Sequence, residues 1–448
     1  MRFCRQTILT PLLMAFALAS LKADSELVQA PPMHLARFGH SATLLKNGTL
    51  LVAGGSVPSD SCTNTAEIYN PATGTWRYTK SPMNVARFAH TATLLPNGNV
   101  LITGGYNSSS GSLNSAELYN PTTGVFTFTG SLSVPRQSQQ AVLLKQGRVM
   151  VIGGHPTPAP CWVALASVEI YDSSTGTWST AARYPLIVAG HQAVVLPNGT
   201  VLVTGGYDGY TPNTYEYVNL YNPARNTWTA MAPMTLPRAA HTATLLPNGN
   251  VLIVAGGLWD GNAYYSTEVY NPNSRGSTKL GPSLNTNRDS QQAALLADGR
   301  ILVTGGANGT YGVLSSVEIL DAGLMGPWVE VGPMSDGRTA HTETLLPSGQ
   351  ALIAGGQDGT GNTINYVDLW SGTTTADGSI TVTTNLASAT FTLTGPTVYN
   401  GAGTSASFPV VSGAYTITYG DVDGYLRPPP QTQTVVGGTI RFNGNYQP

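Results

Sequence analysis

Near neutral pH, imidazole is the side chain best suited to hold a metal or move a proton. Five of the seven histidines in this 448-residue chain stand at one place in a recurring phrase. In "ARFAHTATLLPNGNVLITGG" and its relatives the histidine follows an arginine by three places, giving His40, His90, His191, His241 and His341. Gln139 and Gln291 occupy the same place in two further copies. A ring of imidazoles could serve metal or proton chemistry. Glutamine is a poor metal ligand, however, and it bonds backbone as well as histidine does, so the sequence favours a structural role between neighbouring units. The arginines are Arg37, Arg87, Arg136, Arg238, Arg288 and Arg338, which could ring an anionic polysaccharide. Acids recur downstream at Glu67, Glu117, Glu169, Glu268, Glu318 and Asp368. One copy lacks both, with Val188 for the arginine and Asn219 for the acid, and this joint loss indicates a guanidinium–carboxylate pair within the scaffold.

These residues need a repeated element to carry them. Glycine pairs begin at Gly54, Gly104, Gly153, Gly205, Gly256, Gly305 and Gly355, at intervals of 50, 49, 52, 51, 49 and 50 residues. A period near 50 with a glycine doublet predicts a propeller with four strands per unit. Strand a, "HTATLLP", reads as an inner strand covered on both faces. Asn47-Gly48, Asn97-Gly98, Asn198-Gly199 and Asn248-Gly249 predict a tight hairpin turn with two positive-φ residues. Strand b ends at the glycine pair. Strand c is "AEIYNP" and its relatives, and strand d carries Trp76, Phe126, Trp178, Trp228 or Trp328.

This pattern resembles kelch repeats over roughly residues 27 to 370. The carriers are the glycine doublets, the strand c tyrosines (Tyr69, Tyr119, Tyr171, Tyr221 and Tyr270) and the strand d tryptophans. Departures are Leu320 and Trp370 at the tyrosine place, and Leu280 or a neighbour at one tryptophan place. The resemblance implies an all-β, seven-bladed kelch β-propeller over residues 24–370. The seventh unit stops after strand c, and "SELVQAPPMHLAR" aligns with "WRYTKSPMNVAR", so Glu26 to Gln29 are expected to supply the missing strand. After a linker at 371–377, the alternating strands of 378–448 predict a small antiparallel β-sandwich. With "VSGAYTITYG" and "GTIRFNGNY" this tail resembles PEGA-type modules.

If the shared residues are scaffold, binding falls to the variable loops after the glycine pairs. These gather Tyr106, His155, Trp162, Tyr207, Asp208, Tyr210, Trp259, Asp260, Tyr264, Tyr265 and Asp358. Rings that stack on sugar faces beside carboxylates that accept hydroxyl hydrogen bonds would make a glycan site. Packing between loops and Asp-Gly turn chemistry would use the same residues. Cys62 and Cys161 lie in loops of units 1 and 3. Export would allow them to bridge, while the intervening unit separates them, so the sequence leaves both states open.

Arg2 and Arg5 precede the apolar run Ile8 to Leu18, and Ala17 to Ala19 offers a cleavage site (Ala23 is a second), so residues 1–23 read as a signal peptide. The expected location is secreted or in the cell envelope, with no membrane-spanning segment. Net charge is −2 without a basic run, which excludes the electrostatic footprint of a nucleic-acid partner. The architecture also resembles copper-radical oxidases such as galactose oxidase. That family implies a tyrosine two places after the repeat's arginine, one of them followed by histidine, and a cross-linking cysteine on an inner strand. Here the place holds Gly39, Ala89, Ser138, Gly190, Ala240, Ser290 and Ala340. The expectation is an exported, non-catalytic protein without a cofactor that recognises a glycan or an envelope protein. The alternative is a carbohydrate-active enzyme.

Overall fold

The computed structural model describes residues 25–59, 61–156, 163–209, 213–258, 261–274, 277–310, 312–321, 323, 326–372, 378–394, 399–410, 413–435 and 438–447. The proposed signal peptide lies outside these residues. Among them, helix is confined to two 3₁₀ turns, Lys145–Gly147 and Pro272–Ser274. No helix among them is long and apolar enough to cross a membrane.

Each repeat folds as a four-stranded antiparallel sheet. In unit 1 the strands are Ser41–Leu44, Leu50–Ala53, Ala66–Asn70 and Thr75–Tyr78, paired in chain order. Each innermost strand packs beside those of the preceding and following units, and Thr342–Leu345 of the last unit lies beside Ser41–Leu44 of the first. Apolar side chains interlock between sheets: Leu51, Ala53 and Ile68 of unit 1 cluster with Val100, Ile102 and Phe126 of unit 2. The strand c tyrosine rests on the strand d tryptophan, with Tyr69 and Trp76 centroids 4.9 Å apart. The indole then reaches out of its own unit. Trp76 Nε1 donates to Pro31 O (2.9 Å) and Trp178 Nε1 to Gly130 O (2.7 Å), tying strand d to the connection that enters the preceding strand a. In unit 5 the tryptophan's ladder place opposite Tyr270 is taken by Thr278, and Leu280 is exposed.

The N-terminal strand Ser25–Ala30 completes the last sheet. It pairs antiparallel with Val367–Gly372, Val28 opposite Leu369 and Leu27 opposite Trp370. Trp370 is thereby buried.

Three expectations are corrected. The completely buried strand is strand b, whereas strand a is only half-buried, because its side chains border the central channel. The a–b turn is a three-residue loop: Leu45 N–H donates to Thr49 O, and Gly48 N–H to Leu45 O. Only its glycine has positive φ (+82° at Gly48), as expected of a type I turn followed by a left-handed residue. Unit 3 alone has two such residues, Gln146 and Gly147. In unit 5 the equivalent doublet is Ala255-Gly256 and not Gly256-Gly257. Ala255 takes the first place at φ +55°, and Gly256 lies against His241 as the second glycines lie against theirs.

The tail forms two sheets. One has the order Ser405–Val410, Gly378–Thr384, Gly438–Gly444; the other runs Tyr399–Ala402, Thr390–Thr394, Gly413–Tyr419, Gln431–Val435. Ile380, Val382, Phe391, Tyr415, Ile417 and Phe442 pack between them. The expectation of a wholly antiparallel tail fails at one place, since Gly378–Thr384 and Gly438–Gly444 pair in parallel. Almost the entire tail separates these two strands, which supplies the long connection that parallel pairing requires.

Candidate functional site

The repeated charges are spent inside the scaffold. Every arginine of the motif meets the acid of its own unit at 2.6–2.8 Å, from Arg37–Glu67 to Arg338–Asp368. The other carboxylate oxygen caps backbone of the connection that enters the same unit, as where Asn84 N–H donates to Glu117 Oε2 (2.7 Å). The guanidinium also donates to the first doublet carbonyl, as from Arg87 Nη1 to Gly104 O (2.7 Å). Unit 4 substitutes a neutral pair, with Asn219 Nδ2 donating to Tyr184 Oη (3.0 Å). Burial pushes the Tyr184 hydroxyl up to about 12. Truncating one member of a buried ion pair strands the other charge, at about 3–5 kcal/mol. Arg87→Ala and Glu117→Ala should each lose about that much in urea unfolding, and the double variant far less than their sum. Additive losses would rule out coupling.

The imidazoles are equally committed. His241 Nε2 meets Thr204 Oγ1 and His341 Nε2 meets Thr304 Oγ1, each at 2.9 Å across a unit boundary. His40 meets Thr342 Oγ1 (3.0 Å) and His90 meets Ser41 Oγ (2.9 Å). Gln139 and Gln291 donate instead to Thr103 O and Val254 O. The expected bond to backbone is thus made by the glutamines, while four histidines use hydroxyls. His191 differs: it is fully buried, and neither ring nitrogen has a partner.

The small residues two places after the arginines have a backbone reason. Gly39, Ala89, Ser138, Gly190, Ala240, Ser290 and Ala340 all have φ between +50° and +63°. Five of their N–H groups bond the same place in the preceding unit: Gly39 to Ala340 O, Ala89 to Gly39 O, Ser138 to Ala89 O, Ala240 to Gly190 O and Ser290 to Ala240 O. These bonds link neighbouring units around one mouth of the channel.

Loop candidates occupy the face around that mouth. Half-buried Tyr106 stands edge-on to Phe88 at 5.4 Å, and Phe88 lies 6.0 Å from Phe38. His155 is buried, its Nε2 3.2 Å from Tyr207 Oη of the next unit. Burial raises the Tyr207 hydroxyl. Asp208 is buried and its carbonyl accepts from Ala164 N (2.8 Å). Tyr264 lies 5.5 Å from the Arg238 guanidinium, and Tyr265 is exposed. Asp358 accepts from Thr360 N (2.9 Å) and Asn362 N (2.8 Å), bracing its own turn. Trp162, Tyr210, Trp259, Asp260 and Cys161 lie outside the described residues. Cys62 is a free thiol that accepts from Ser108 N–H (3.2 Å). The structure therefore brings His155 to Tyr207 and ties Asp208 to the same neighbouring loop, while the other described candidates stand in separate units or brace their own loops.

Three residues of this region escaped the reading of the sequence. Phe38 and Phe88 follow the motif arginine where the other units have Gln137, Ala189, Ala239, Asp289 and Thr339. Glu343 stands where six units have alanine: Ala42, Ala92, Ala141, Ala193, Ala243 and Ala293. In each case the signal was a break in the repeat. Glu343 lines a cavity of about 340 Å³ just inside the mouth, with His40, His341, Gln292, Thr342 and the mouth residues Gly39, Ala89 and Ala340.

Repeated four-stranded sheets, glycine doublets and tilted Tyr–Trp pairs define the class: the chain is a kelch-repeat β-propeller. Residues 12–206 match the KLHDC2/KLHL20/DRC7 kelch-repeats domain, and residues 190–235 match the kelch motif. Among solved structures it is similar to a novel fungal alcohol oxidase of the AA5 family in complex with copper. That likeness has a TM-score of 0.66 at 16% identity, covering 92% of this chain and 99% of the other. No curated relative matches the chain. The residues here do not fit the copper site that the copper-radical oxidase resemblance implies. Its tyrosine places hold the small left-handed residues, and His241 and His341 are engaged by threonines. Among the described residues no three His, Cys, Asp or Glu side chains could hold a metal ion.

Proposed function

We propose that the chain is a seven-bladed propeller with a C-terminal β-sandwich, exported, and a non-catalytic binding protein for a glycan. The observation that carries this reading is the division of chemistry within the repeat. Motif arginines, acids and most imidazoles are consumed by scaffold contacts, while rings collect on the loop face around the mouth. Phe38, Phe88 and Tyr106 form one half-buried run, and His155 with Tyr207 forms a second group. Such rings offer flat apolar faces, and Tyr207 Oη adds a polar edge.

A glycan array on the full chain is the test. Tyr106→Ala and Tyr207→Ala should weaken the glycan it identifies at least tenfold while a cooperative melt is retained. A clean array, or binding indifferent to both variants, would refute the proposal.

A further inference from the structure

Glu343 is an internal experiment within the repeat. Six units fold with alanine at its place, so the scaffold does not require a carboxylate there. A buried carboxylate is unfavourable unless it is paired. The Thr304 hydroxyl donates to Glu343 Oε2 (2.7 Å) and in turn lies 2.9 Å from His341 Nε2. Glu343 Oε1 is buried and has no partner. The groups around it offer no cation. His341 on its own strand, and His40 and His90 on the next two inner strands, are held neutral by burial and by Arg338, Arg37 and Arg87 behind them. Those arginines are already bonded to Asp368, Glu67 and Glu117. On the adjoining strand, Gln292 is uncharged.

We propose that this hub cavity binds a small aliphatic ammonium ion, its nitrogen on Glu343 and its carbon chain against Ala42, Ala89 and Ala340. The cavity is far larger than a bare ion needs and falls within the range of small-molecule sites. A metal ion would find one carboxylate and no cluster of ligands among the described residues. None of the residues lining the cavity is a Phe, Tyr or Trp on which a sugar could stack, which separates this site from the loop-face reading. Burial pushes the Glu343 carboxyl up to about 8. Binding a cation must therefore release its proton near neutral pH. Alkylammonium stays charged to about pH 10, so affinity should rise from about pH 6 to about pH 9 as that proton becomes easier to displace.

Calorimetry on the full chain with butylamine and 1,4-diaminobutane tests this, with 1-butanol, potassium chloride, calcium chloride and galactose as comparison ligands. The expected result is amine binding with proton release at neutral pH, seen as a buffer-dependent heat. Glu343→Gln should bind at least tenfold more weakly and lose the pH dependence. Glu343→Ala restores the residue of the other units and should fold and bind as Gln does. Equal binding of 1-butanol, preference for either salt, galactose binding that is lost in Glu343→Gln, or amine affinity unchanged in Glu343→Gln would overturn the proposal. None of these results bears on glycan binding at Tyr207, which is read separately.

Discussion

Acidification below about pH 6.5 is expected to unfold this protein steeply, because five imidazoles must stay neutral to remain in place. Burial, helped by Arg37, lowers His40 to about 3, and burial alone lowers His191 to about 3. His90, His241 and His341 are held well below their ordinary value by burial first, then by Arg87, Arg238 and Arg338. In the unfolded chain each titrates near 6.5. Below that pH the unfolded state takes up protons that the folded state refuses, so stability is complete above about 6.5 and falls as pH drops toward the folded values. Each group contributes about 1.4 kcal/mol per pH unit, so five give about 7 kcal/mol per unit. A domain stability of about 5–15 kcal/mol would then be exhausted within about two units. Denaturant melts across pH should show this slope. His241→Gln, using the residue native at the same place in units 3 and 6, should reduce it by about one proton. A melting temperature unchanged down to about pH 4 would contradict the neutral ring. Glu343 acts oppositely. Its raised carboxyl makes stability fall as pH climbs from about 4.3 toward 8, so the optimum should lie near neutrality.

Removing residues 25–32 should have an effect of similar size. The strand Ser25–Ala30 makes a six-residue ladder with Val367–Gly372. Leu27 packs against the cluster that holds Trp370, and Ala30 joins the cluster of Met33, Leu352 and Val367. Without it the last sheet would expose Trp370 and a bare strand edge, a template for aggregation. The expected loss exceeds about 5 kcal/mol, within the range of a whole domain's stability. It should appear as loss of the cooperative melt and self-association in light scattering. Adding a peptide of residues 25–32 should partly restore the transition. A truncated chain that melts as the full chain does would show that this closure is dispensable.

What could be read from the sequence follows from repetition. A pattern written several times separates scaffold from accident, so the strand layout, the Arg–Glu pairing and the borrowed N-terminal strand were all legible. The joint loss at Val188 and Asn219 pointed to the pair, and the structure adds Tyr184 as the replacement partner. Conformations that the letters do not encode were misread. Asn-Gly suggested a two-residue turn, but the ladder closes one residue wider. Two glycines in print at 256 and 257 masked Ala255 in the left-handed place. The candidate site was less legible for the opposite reason, because its informative residues are exceptions. Phe38, Phe88 and Glu343 acquire meaning only once the backbone brings positions far apart in sequence to one mouth.

The pairing of residues 25–30 with 367–372 also sets an order of assembly. The first strand of the repeat region emerges before any other and waits unpaired until nearly every later unit has been synthesised. Closing so long a stretch of chain brings a large entropic penalty before any contact repays it, so this ladder forms late. Until then the nascent polypeptide is an open arc with two sticky ends, and in that interval it is most exposed to capture by a neighbouring copy.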